Sequence, residues 1–160
     1  MTFVVATSWL LLTAPGQVPS HFEGSGEITE WMGLGQYVAI TSAFVLGTSL
    51  VCGGVRWYIL KIPESVLNLT GPRQNYWARP ENRHEFNTRI IADVERTGAF
   101  LTLTVVGVTI LSSINASGVQ VPFWIMPTVT VFLLLLAPGY AGFVVYSGRY
   151  SPPLPPSRYP

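Results

Sequence analysis

Hydrophobic and polar positions along this chain fall into long blocks. Met1 to Ala14 carries no charged side chain and is built mainly from Val, Leu, Phe and Trp. Residues 15–32 are polar and hold the turn formers Pro15, Gly16, Pro19 and Gly24-Ser25-Gly26. Gly33 to Leu60 is apolar throughout except for Arg56 near its end. Lys61 to Arg96 is the one long polar segment, and the apolar blocks 97–114 and 122–146 follow, parted by Asn115-Ala116-Ser117-Gly118. Ser151 to Pro160 is proline-rich.

A hydrocarbon core about 30 Å thick is crossed by about 20 apolar residues in a helix. The blocks at 33–60, 97–114 and 122–146 meet or approach that length, and the first one is much shorter. The pattern therefore predicts an all-α membrane protein with four transmembrane helices at about 1–14, 33–60, 97–114 and 122–146. A polar loop, 61–96, separates the two halves, and the tail 151–160 ends the chain.

Three readings compete for Met1 to Ala14. A signal peptide needs a basic stretch ahead of its apolar run and a small-residue cleavage site, and this segment has neither. A short first span ending at Pro15-Gly16 is preferred, with a half-inserted or re-entrant helix as the alternative. Residues 15–32 read as a loop.

The second block, about 28 residues and roughly 42 Å as a helix, exceeds the core and predicts tilt or a protruding end. Ala39, Ala43 and Gly47 recur every four residues on one of its faces, with Ser42, Ser49 and Gly53 alongside. In lipid, close backbone packing across small residues drives helix association, so this face is a candidate partner surface. Arg56 can snorkel to the interface. Trp31 at the start of the span, Tyr76 and Trp77 in the polar segment, and Trp124 at the start of the last span are read as interfacial anchors.

Within 61–96, Pro63 and Gly71-Pro72 favour turns, and Pro80 suits the first turn of a helix. Phe86, Ile90 and Val94 then recur every four residues, and Glu85 precedes Arg89 by one turn. These features predict an amphipathic helix near the membrane surface that runs or bends into the third span. Pro138-Gly139 predicts a kink in the fourth. Pro152, Pro153, Pro155, Pro156 and Tyr159 form a polyproline-II-like tail, a second candidate partner surface.

Composition sharpens this picture. The chain of 160 residues is 49% hydrophobic and only 11% charged, against about 25% charged in soluble domains. A net charge of +1 with no basic face gives no pull toward nucleic acid. All nine Lys and Arg residues fall in or beside 61–96 and in the tail, whereas the loops 15–32 and 115–121 have none. By the positive-inside rule both termini and the central loop are cytoplasmic.

Candidate chemistry is sparse. No nucleophile elbow, phosphate-binding loop or dinucleotide fingerprint is present, and no cofactor is expected. His21, Glu23 and Glu27 are the only metal-ligand-like cluster, without a second histidine. No Asp, Glu, Lys or His lies within a predicted span, which argues against a proton-coupled transporter. Cys52, the single cysteine, reads as a small packing residue.

Two stretches resemble a known family. Val18-Pro19-Ser20-His21-Phe22, followed by Gly26-Glu27 and Trp31, resembles the P-x-H-F…G-x…W loop of a bacterial membrane domain of unknown function. That domain also occurs ahead of the SdpI domain in toxin-immunity proteins. The run Asn75-Tyr76-Trp77-Ala78-Arg79-Pro80-Glu81-Asn82-Arg83 is similar to the N-Y-W-L-A-P-E-R-R stretch of its standalone members, although Arg79 interrupts Ala-Pro and Asn82 replaces an Arg. The resemblance covers roughly residues 1–114 and implies a multi-pass protein of the bacterial plasma membrane. It implies no catalytic residue.

The expected function is therefore non-enzymatic: an accessory or scaffolding subunit whose partners are the bilayer and other membrane subunits. The alternatives are an immunity or sensor protein that binds a peptide or ion at residues 21–30, and a small transporter component.

Overall fold

A computed structural model describes residues 1–14, 16–23, 28–63, 72–119, 122 and 124–152, excluding the side chains of 22, 72, 74 and 126. Within these, the chain forms α1 (Thr2–Thr13), β1 (Gln17–Phe22), β2 (Ile28–Gly33), α2 (Leu34–Lys61), α3 (Pro72–Trp77), α4 (Pro80–Ala116) and α5 (Ile125–Tyr146). Three of these helices, α2, α4 and α5, are long and apolar enough to cross a membrane. At 12 residues α1 is about 18 Å long, short of a crossing by its own length.

The centre of the fold is α4. Its 37 residues run to roughly 55 Å without a break, so the expected amphipathic helix and third span are one continuous rod. Pro80 opens it in the first turn, where a missing N–H costs nothing. Gly118, at φ +80°, lets the chain turn away after its far end. The helices α1, α2 and α5 each pack along α4.

Glycines set two of those crossings. A Cβ on Gly98 would sit 2.6 Å from Cys52 Sγ, so α2 approaches α4 closely there. A Cβ on Gly107 would overlap the Leu133 side chain, which marks the corresponding approach of α5. Thr104 Oγ1 reinforces the second crossing by donating to Leu133 O at 3.0 Å. Such a bond between helices holds its strength where water is scarce. Thr97 and Thr102 bond back to carbonyls one turn earlier, as threonines in apolar helices do. Through Pro138, α5 remains helical.

The segment 15–32, read from its turn formers as a loop, contains a two-stranded antiparallel hairpin, so the fold is helical with a small β element. Its register pairs Gln17 with Gly33, Val18 with Met32, Pro19 with Trp31 and His21 with Glu30. The register slips after Pro19, which is where an irregularity is needed because proline cannot donate to a ladder. Burial supplies the driving force: Val18 packs with Leu10 and Tyr37, and Met32, Val38 and Ala116 close over them. The Tyr37 hydroxyl lies 3.4 Å from Thr109 Oγ1, tying the hairpin end of α2 to α4. Leu34 N–H donates to Gly16 O across the base of the hairpin.

The opposite end of the bundle is cationic. Arg56 pairs with Glu95 across α2 and α4, Arg83 donates to Ile62 O, and the expected Glu85–Arg89 pair forms along α4. The basic side chains of the described residues gather at this end, away from the hairpin, as their sequence distribution requires.

Candidate functional site

The site at the cationic end is assembled from chain segments far apart in sequence. After α5, Gly148 at φ +68° allows a left-handed turn that L side chains rarely adopt, closed by Ser151 N–H donating to Gly148 O at 2.7 Å. This turn sends Arg149 and Tyr150 back onto α4. Trp77 Nε1–H donates to Tyr150 O at 2.8 Å, and the Trp77, Phe86 and Tyr150 rings pack edge and face within 6 Å of one another in sequence. Trp77 is only 1% exposed, its Nε1–H satisfied as a buried indole requires.

Asp93 lies at the heart of this arrangement, 7% exposed. Its Oδ1 accepts from the Tyr140 hydroxyl at 2.7 Å and from Arg96 Nη1 at 3.2 Å. Its Oδ2 accepts from the Tyr150 hydroxyl at 2.6 Å and from Arg149 Nε at 3.0 Å. Four donors from α4, α5 and the returning segment thus engage one carboxylate. Burying a carboxylate is expensive, and a network satisfied in full is what makes it tolerable. Arg96 also reaches the Tyr140 hydroxyl at 3.1 Å, and Arg89 Nη1 donates to Arg149 O at 2.6 Å.

Asp93 precedes the apolar stretch 97–114 by a turn, so the carboxylate lies outside that stretch. Burial alone would raise the Asp93 pKa. The Tyr150 and Tyr140 hydroxyls, then the Arg149 and Arg96 guanidiniums, outweigh it, and the carboxyl is held below its ordinary value. Burial, reinforced by the bond to Asp93, pushes the Tyr150 hydroxyl well above its ordinary value, which keeps it a donor.

Above this network, on the face of α4 that carries Phe86, Ile90, Val94, Thr97 and Leu101, a cleft of about 930 Å³ opens between α2 and α5. Gly47, Val51 and Cys52 of α2 form one wall, and Ala141, Val144 and Val145 of α5 form the other. Arg73, Asp93 and Tyr150 border it at the cationic end. The two walls stay apart because both helices pack on α4 rather than on each other.

The residues singled out in the sequence fall in different places. Ala39 and Ala43 are exposed on α2, and Gly47 is half-buried with nothing within 4 Å of where its Cβ would be. Trp31 and Trp124 are exposed, as is Arg56 in its pair with Glu95. Tyr76 is half-buried. Trp77, expected to present its ring as an anchor, is instead buried within the chain, because the segment after α5 folds over it. His21 and Glu23 are exposed at the hairpin end, and no metal-binding group of three occurs among the described residues. Glu27, Pro153, Pro155, Pro156 and Tyr159 lie outside the described residues, and Pro152 is half-buried.

Asp93 escaped the sequence reading. Three of its four partners lie 47 to 57 positions away, and an acid one turn from an arginine in a polar helix resembles any solvated pair. The usable signal was the pairing of a charge at the foot of a span with Tyr140 and Tyr150 at the foot of another. Searches of family descriptions, curated proteins and solved structures find no match to this chain.

Proposed function

We propose that this chain is a non-enzymatic accessory subunit of a larger assembly in the bacterial plasma membrane. Its C-terminal end lies on the cytoplasmic side, and α1 enters the bilayer from the hairpin side against α4 as a fourth, shorter apolar helix that stops before the other face. The observation that carries this reading is α2. No part of its apolar window is buried, although it is long enough to cross, and only Tyr37 and Ile59 along its length are enclosed. Ala39 and Ala43 are exposed along it and leave its backbone open to close approach, which suits a transmembrane helix of another subunit. The Asp93 network is compatible with the same reading, since a carboxylate engaged by four donors braces α5 and the returning segment on α4.

Extraction in a mild detergent followed by mass spectrometry tests the proposal. A second membrane protein should co-purify with the parent chain and be lost from the Ala39→Phe/Ala43→Phe variant. Recovery of the parent chain as a lone monomer would overturn it.

A further inference from the structure

We propose that the cleft between α2 and α5 holds one anionic phospholipid of the leaflet on the cationic side, with its phosphate beside Arg73. The inference goes beyond association through Ala39 and Ala43, and it rests on α2, α4 and α5 crossing a bilayer.

The first argument is length. Along α4 the cleft runs from Phe86 to Leu101, a rise of about 22 Å. One leaflet with its headgroup layer is half of a total of about 40–45 Å, so the two match. A transmembrane helix of a partner would need a groove along the whole crossing, and this one ends at Phe44 and Leu101, short of the hairpin end.

Polarity is the second argument. The deep end is walled mainly by Phe44, Val51, Leu101 and Ala141, with Thr48 and Thr97 among them, whereas the charged Arg73 and Asp93 stand with Tyr150 at the cationic end. That is the gradient of a lipid, from acyl chain to headgroup. The volume, about 930 Å³, lies at the upper end of the range that ligand sites span.

Charge is the third. Of the charged residues, Arg73 and Asp93 border the cleft, and Arg96 and Arg149 are held beside it by their bonds to Asp93. Asp93 is already engaged by four donors, and the described partner of Arg73 is the neutral Ser151 hydroxyl at 3.4 Å. The surplus of guanidinium suits a phosphodiester, which accepts paired N–H donors in the geometry that arginine offers.

Native mass spectrometry of the full chain in a neutral detergent tests this with phosphatidylglycerol, phosphatidylcholine and glycerophosphate as probes. Phosphatidylglycerol should form a one-to-one adduct, retained about tenfold more tightly than phosphatidylcholine, and glycerophosphate alone should not be retained. Arg73→Gln should weaken the adduct about fivefold, the value of one basic residue toward an anionic lipid. Gly47→Phe should abolish it by filling the cleft, and because nothing lies near a Cβ at Gly47 the variant should keep the parent's melting temperature. Equal retention of both lipids, an adduct indifferent to Gly47→Phe, or retention of glycerophosphate as strong as that of the lipid would each overturn the proposal. Alkaline extraction of native membranes is the separate check on the crossing: loss of the chain to the soluble fraction would sink the membrane placement itself.

Discussion

Replacing Asp93 by Asn keeps the shape of the side chain and removes its charge. The amide oxygen can still accept from Tyr140 and Arg96, but the amide nitrogen then faces Tyr150 and Arg149. The tyrosine hydroxyl can rotate to accept, whereas the Arg149 Nε–H has nothing to donate to. A hydrogen bond to a charged group contributes about 1.5–3 kcal/mol. The Arg149 and Arg96 side chains are 30% and 51% exposed, so water recovers part of the loss and the low end of a two-bond sum applies. The expected destabilisation is about 2–3 kcal/mol, a fall of roughly 4–10 °C in melting temperature for a chain of this size. Asp93→Ala should cost more, about 3–5 kcal/mol, because it strands both guanidiniums and both hydroxyls. Thermal unfolding in detergent, followed by helix circular dichroism and by tryptophan emission, measures both. Trp77 is a built-in reporter because its indole bonds the carbonyl of Tyr150, one of the four donor residues. If Asp93→Asn melts within about 1 °C of the parent, the network is not what fastens α5 and the returning segment to α4.

Further outcomes follow from the same geometry. Because the Asp93 carboxyl is held below its ordinary value, its contribution should be complete above about pH 4 and lost as pH falls through the lower folded value. An acid titration of Trp77 emission, in a background with Trp9, Trp31, Trp57 and Trp124 replaced by Phe, should show this step with Asp93 intact and lack it in Asp93→Asn. Gly107→Leu should destabilise by about 1–3 kcal/mol through overpacking against Leu133, and Leu133→Ala should restore part of the loss in the same melting assay. Truncating Trp77 to Ala should cost about 3–5 kcal/mol, far more than removing the exposed Trp124. Cysteines placed at Gln17 and Ser117 in a Cys52→Ser background should both react with an impermeant thiol reagent in intact cells, since both lie at the hairpin end; labelling only after lysis would reverse the orientation.

Hydropathy made the long helices legible because lipid demands length and apolarity together, and both can be read one segment at a time. The Phe86, Ile90 and Val94 stripe was legible for the same reason: a period of four is local. The hairpin was not, since Pro19 and the glycines mask a strand whose stability comes from Leu10 and Tyr37, residues of other elements. Trp77 looked like an anchor because nothing near it in sequence announces Tyr150. Asp93 is the sharpest case: what makes it special is a turn at Gly148 that swings two donors back across the bundle, and only the folded chain contains that information.

The unbroken length of α4 carries a mechanical consequence. Between Thr109, which meets Tyr37 beneath the hairpin, and Asp93 there are about 24 Å of shaft with no proline and no hinge. Torque applied at one end of such a shaft arrives at the other instead of dissipating in a joint. A twist of the hairpin would therefore be carried along α4 to the seat of Asp93, and with it to the grip on Tyr150 and the returning segment.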